Sequence, residues 1–209
     1  MPYFVRNLVL IAAGILGAIA VGLMVQERAP SARPPVTQKT IIVPAPSTGV
    51  RVRYAQNNYP QLALPDGRTE VVRSVLNITK PMHFGDFVWN EDRIPGGPVW
   101  VRVDLTRQLV SVFRGGHEIG SAVILFGTDG KPTPTGSFTI LEKKADYHSR
   151  SYDAPMPFML RLTDDGVALH GSNVRKGFAT HGCVGIPLAF ARLLFAATHK
   201  GDIVAILRS

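Results

Sequence analysis

A mainly β fold, sandwich or barrel-like with one or two short helices, is what this sequence predicts, and three observations carry the prediction. Apolar and polar residues alternate with a period of two through much of the second half of the chain, as at Val99, Val101 and Val103 against Trp100, Arg102 and Asp104. Glycine and proline punctuate these runs about every ten residues, the spacing of short strands joined by tight turns. A single later stretch, Leu188 to His199, has the mixed apolar spacing of an amphipathic helix and is closed by Gly201.

Residues 1–28 open on Leu8 to Val25, a run of apolar residues and glycine with Arg6 before it and Gln26-Glu27-Arg28 after it. At about 18 residues it is long enough to cross a bilayer, and no small-x-small cleavage site follows it, so an uncleaved membrane anchor is expected in preference to a signal peptide. Lys and Arg beyond the run outnumber Arg6, so flanking charge orients it weakly. Residues 29–68 are rich in Pro, Ser, Thr and Gln and read as an extended spacer, with Ile41-Ile42-Val43 its one apolar run. Residues 69–96 read as an extension packed on the core. There Val71, Val72, Val75, Leu76 and Ile78 suggest a short helix, Lys80 to Asp86 a turn, and Phe87 to Trp89 a strand.

Residues 97–209 form the domain proper, opened by Pro95-Gly96-Gly97-Pro98. Strands are expected at Val99 to Asp104, at Gln108 to Arg114, from Glu118 to Phe126 after the Gly115-Gly116 turn, at Gly136 to Glu142 and at Ile203 to Leu207. Asp164-Asp165-Gly166 is a turn. Asp129-Gly130-Lys131-Pro132 is another, because a phosphate loop needs Ser or Thr after its Gly-Lys. No cofactor is expected.

Charge narrows the function. Lys and Arg exceed Asp and Glu by eight, and the surplus has no focus: residues 1–100 carry ten basic and six acidic side chains, residues 101–209 thirteen and nine. A nucleic-acid binder clusters its cations among aromatics. Diffuse basicity suits an anionic envelope or lipid surface instead.

The chemistry sits between Ala168 and Pro187. Cys183 is the only cysteine, two residues after His181 and thirteen after His170. A thiol becomes a useful nucleophile when an imidazole takes its proton and a third group orients that imidazole. Gly171 and Gly182 follow the two histidines and let the backbone approach a substrate. His181 and Cys183 point the same way if their segment is extended; His170 approaches only through the fold. These residues leave open which histidine is the base. Three zinc ligands are the competing reading of the same side chains, without a fourth protein ligand nearby.

Thr180-His181-Gly182-Cys183-Val184, preceded by His170-Gly171, resembles the signature of the L,D-transpeptidases, the YkuD-type enzymes that cross-link bacterial peptidoglycan. The resemblance runs from about Val99 to Leu207 and includes Val101 to Phe113 and Lys131-Pro132-Thr133-Pro134-Thr135-Gly136-Ser137-Phe138. It implies the L,D-transpeptidase catalytic fold, with Cys183 as nucleophile, His170 as base oriented by the Gly171 carbonyl, and His181 and Thr180 in support. The amides of Gly182 and Cys183 form the implied oxyanion hole. Glu142 to Met159 resembles the family's lid, with Tyr152 and Met156 as substrate contacts. The implied partners are peptidoglycan stem peptides and, through the N-terminal segment, the inner membrane, with the catalytic domain in the periplasm. Two departures are visible: the interval between His170 and Thr180 is short, and Gly185 stands where the family commonly has a polar residue, often arginine, leaving Arg161, Arg175 or Lys176 to recognise substrate carboxylates. An L,D-carboxypeptidase or hydrolase of the same fold, and a non-catalytic wall-binding module, are the alternatives.

Overall fold

The computed structural model describes residues 51–128 and 130–208 of the 209-residue chain. The expected anchor, the first part of the expected spacer and Asp129 lie outside the described residues. Short strands come first: β1 (Arg51–Arg53), β2 (Gln61–Ala63), β3 (Thr69–Val71), β4 (Ser74–Leu76) and β5 (Phe87–Trp89). Longer ones follow at β6 (Val99–Asp104), β7 (Leu109–Arg114) and β8 (His117–Val123), then β9 (Gly136–Thr139) and β10 (Glu142–Lys144). The remaining elements are β11 (His148–Ser149), β12 (Ala154–Pro155), β13 (Met159–Arg161), β14 (Ala168–Ser172), β15 (Val184–Pro187), α1 (Leu188–Ala197) and β16 (Ile203–Leu207).

Two sheets carry the architecture. The larger runs β1-β4-β8-β7-β6-β16-β9, with β5 also paired to β8; the smaller runs β10-β13-β14-β15. Gly115 and Gly116, at φ 54° and 83°, supply the left-handed pair that a two-residue hairpin turn between β7 and β8 requires. The core lies between the sheets. Val101, Val103, Val110 and Val112 of the larger sheet meet Leu160, Leu169, Val184 and Ile186 of the smaller. Phe190, Ala191 and Leu194 of α1 join the same cluster, with Trp89 edge-on to Phe190 at 5.4 Å. Gly120 has no room for a Cβ because the Trp89 ring occupies that space, at 2.3 Å from where the atom would stand. The C-terminal carbonyls of α1 are met by Lys143, whose ammonium donates to Phe195 O at 2.6 Å and to Thr198 O.

Three expectations are corrected. The region read as a short helix forms β3 and β4 instead, as its β-branched Val71, Val72 and Val75 favour when partner strands are present. The stretch read as spacer up to residue 68 contains β1 and β2. Strand β1 joins the large sheet through β4, and its Arg51 donates to Asn90 O at 2.7 Å and to Ser74 Oγ at 3.3 Å. Leu64, just after β2 inside the β2–β3 hairpin, and Val72, just after β3, cover the outer face of the large sheet, where Trp100 and Phe113 stack at 4.3 Å. The strand expected over Gly136 to Glu142 divides, β9 pairing with β16 and β10 with β13.

Candidate active site

Strand alternation decides what faces the thiol. On β14, Leu169 points into the core with no exposed surface, so Ala168 and His170 point to the opposite face of the small sheet. Strand β15 runs parallel to β14 in the register Leu169 to Val184 and His170 to Gly185. One residue before β15, Cys183 therefore stands beside Ala168, on the face of His170. Strand spacing and rise put the Cα atoms of Cys183 and His170 about 8 Å apart on the diagonal. Cys183 packs against the cluster of Met156, Met159 and Ala168, as does Tyr147.

The backbone at Cys183 is clamped from within its own turn and by residues distant in sequence. Thr180 Oγ1 donates to the Cys183 carbonyl, and Thr133 Oγ1 donates to it at 3.3 Å while accepting from Gly127 N at 2.9 Å. Strand β15 is fixed from its other side by Leu125, whose N and O exchange hydrogen bonds with Gly185 at 2.8 and 2.9 Å. Gly127 must be glycine: a Cβ there would lie 2.1 Å from Lys131 O and 2.8 Å from Gly182 N. Gly182 itself has φ 102°, in the left-handed region.

Burial favours the neutral form of both the thiol and the imidazole. Burial pushes the Cys183 thiol above its ordinary value and the Asp165 carboxylate adds to that, against the Ala168 amide and Lys131, which stabilise the thiolate. Burial likewise lowers His170, opposed by its hydrogen bond to Gly171. That bond runs from Nδ1–H to the Gly171 carbonyl at 3.0 Å. A carbonyl only accepts, so Nδ1 carries the proton and Nε2 keeps a free lone pair. The thiol's weak partner at rest is Gly166 O, 3.8 Å from Sγ.

The other sequence candidates divide. Met156 is buried in the thiol's cluster. Tyr152, on the β11–β12 hairpin that the lid expectation covers, is half exposed and stacks on His181 at 4.6 Å, with Lys131 Nζ 5.9 Å from its ring. His181 thus faces Tyr152; the backbone bends at Gly182, so the extended geometry expected between His181 and Cys183 does not form. Arg161 shares the thiol's face but is engaged by Glu142 at 3.1 Å and Asp164 at 3.6 Å. Arg175 donates to Asn173 Oδ1 at 2.9 Å, and Lys176 lines a separate cavity. A side chain at Gly185 would meet Ser172 Cβ at 3.0 Å and Oγ at 3.2 Å. Among the described residues, no three His, Cys, Asp or Glu side chains are grouped to hold a metal ion. Sequence reasoning missed Thr133, Asp165 and the Gly166 carbonyl. Only Thr133 left a signal, inside the Lys131 to Phe138 landmark.

The family model described as the L,D-transpeptidase catalytic domain, YkuD, matches residues 98–206, just over half of the chain. Among solved structures, an L,D-transpeptidase from Stackebrandtia nassauensis is 24% identical with TM-score 0.50, covering 56% of this chain and 59% of its own. One from Mycobacterium tuberculosis H37Rv is 22% identical with TM-score 0.50, covering 54% and 59%. A cysteine-to-serine mutant from Enterococcus faecium is 18% identical with TM-score 0.50, covering 72% and 74%. These likenesses show the fold, and the chain spans about three fifths of the length of the first two. No curated protein matches the chain in sequence.

Proposed function

This chain belongs to the YkuD family of L,D-transpeptidase catalytic domains, and from that premise we propose that it is a cysteine-dependent acyltransferase that forms or remodels peptidoglycan cross-links. The donor is a tetrapeptide stem, cleaved between its third, diamino acid residue and the terminal D-alanine. Cys183 Sγ attacks that carbonyl while its proton passes to His170 Nε2. Proton transfer concerted with attack suits a neutral thiol and a neutral imidazole, since neither has to be pre-ionised. Amides of Gly182 and Cys183 hold the developing oxyanion, and the Thr133 and Thr180 hydroxyls keep that turn in place by binding the Cys183 carbonyl. D-Alanine leaves as the amine, taking the proton from His170. The amine of a second stem then attacks the thioester, gives its proton to His170, and expels the thiolate, which recovers a proton from the imidazolium.

One observation carries this reading: His170 has its tautomer set by Gly171 and shares a sheet face with the chain's only cysteine. The membrane anchor and periplasmic location belong to the same proposal. Among the described residues no helix is long and apolar enough to cross a membrane, and the Leu8 to Val25 run lies outside them. The test is incubation of the full chain with purified disaccharide-tetrapeptide, with products weighed by mass spectrometry. Cross-linked dimers are expected. Tripeptide alone would make the protein an L,D-carboxypeptidase, and intact substrate with measurable binding would make it a wall-binding module.

A further inference from the structure

A cavity of about 560 Å³ opens where residues 78–84, the β6–β7 turn, the end of β8 and the loop after β14 meet. Its floor is apolar, with Ile78, Met82, Phe84 and Leu109 half-buried against it. Its charged lining has one sign. Exposed Lys80, Arg107 and Lys176 contribute, and among the described residues no Asp or Glu does. Arg107 leans on Asp104 at 3.7 Å, and His83 on the same wall lies 3.4 Å from Asp86. Lys80 and Lys176 form no ion pair among the described residues. Cations gathered around one concavity raise the local potential, and an anion entering it is drawn in.

Backbone strain at the same place is independent of the charges. Gln108, in the cavity wall, has φ 56°, in the left-handed region where glycine or asparagine is the usual occupant. Conformation alone would favour either of those. Glutamine instead brings to the wall an amide with both donor and acceptor, the complement of a peptide bond.

We propose that this cavity is a second binding site, apart from the thiol, for an anionic stem peptide of the wall polymer; the proposal rests on the peptidoglycan substrate argued above. Stem carboxylates meet Lys80, Arg107 and Lys176, the peptide backbone meets Gln108, and short alkyl side chains cover the apolar floor. The volume suits a ligand of a few residues. A lipid surface would ask for cations on a convex face, and these line a hollow. Lys176 lies on the loop that joins the strand of His170 to Cys183, and residue 85 abuts that loop, a Cβ there falling 3.5 Å from Val174 O. A stem held here tethers the polymer beside the thiol and raises the effective concentration of its neighbours.

The experiment uses the full chain with its only cysteine alkylated by iodoacetamide at alkaline pH, so that donor binding at the thiol is blocked. Disaccharide-tetrapeptide should still bind, more weakly as salt rises, and Lys80→Glu/Arg107→Glu/Lys176→Glu should weaken that binding at least tenfold. The milder Lys80→Gln/Lys176→Gln should weaken it severalfold. Alkylation of Cys183 at an unchanged rate in both variants certifies their fold. Binding that vanishes on alkylation, that survives charge reversal, or that is found for anionic phospholipid vesicles and not for the stem overturns the proposal. A chain that binds the stem after alkylation yet never forms dimers or tripeptide keeps this inference and loses the catalytic one.

Discussion

The two faces of the small sheet follow opposite rules. On the inner face Leu160, Leu169, Val184 and Ile186 are buried to within 1% of completely and interlock with α1 and the large sheet. The outer face carries Arg161, Met159, Ala168, His170 and, just ahead of β15, Cys183, under a smaller apolar cluster. One face is held by side-chain packing. On the other, the chain at Cys183 and β15 is fixed by hydrogen bonds to its backbone, from the Thr133 and Thr180 hydroxyls and from the Leu125 main chain. If Cys183 and His170 act as proposed, the packed face supplies rigidity and the outer face chemistry, and substitutions on the two faces should separate stability from activity.

The largest expected effect is on the outer face. Cys183→Ala should abolish dimer formation in the disaccharide-tetrapeptide assay, because no other side chain there can carry the acyl group, while its melting temperature stays close to that of the parent. His170→Ala should lower kcat/KM on the order of a hundredfold to ten-thousandfold, the usual range for loss of a general base. His181→Ala should cost less, since its ring faces Tyr152; a greater loss than for His170→Ala would reverse the choice of base.

The inner face should give the mirror image. Leu169→Ala removes a fully buried side chain and should destabilise the fold by about 2–5 kcal/mol in urea melts. Kcat per folded molecule should hold at temperatures well below the transition. A collapse of kcat without loss of stability would show that the two faces are not separable.

Thr133→Val tests the clamp between them. It strands Gly127 N and removes one donor from Cys183 O, so about 1–3 kcal/mol of stability should go. Kcat should fall with it, and Thr133→Ser should restore both. Equal activity in the valine variant would mean that the Cys183 carbonyl needs no second hydroxyl.

The pH profile carries the gentlest signature. His170 is lowered from 6.5 and must be neutral to act, so kcat/KM should fall with acid through a pKa below 6.5. The thiol is raised above its ordinary 9.0, so iodoacetamide alkylation should be slow at neutral pH, should keep accelerating as pH rises, and should level off only beyond that ordinary value. For stability the signs follow from linkage. A lowered His170 favours the fold above the unfolded value near 6.5, and that contribution is lost as pH falls through the folded pKa. A raised Cys183 favours it below the unfolded value, and that contribution is lost as pH rises through the folded pKa. Alkylation already fast at pH 7 would instead indicate a resting thiolate.

What the sequence determined by itself is whatever rests on local chemistry. Alternation marks β6 and β7, the Gly115-Gly116 pair marks the hairpin into β8, and apolar spacing with a closing glycine marks α1, because side-chain direction and allowed φ are set within a few residues. The Thr180 to Val184 motif and His170-Gly171 were legible for the same reason, as residue types at fixed spacing. Tertiary structure decided the rest. Val71, Val72 and Val75 fit a helix or a strand until Gln61–Ala63 and Arg51–Arg53 arrive as partners. One of the two threonines that clamp Cys183, Thr133, lies 50 residues before it, and Arg161 loses its freedom to Glu142, 19 residues away. Strand pairing and side-chain capture of this kind depend on which distant segments meet, and no window of the sequence contains both halves of such a contact.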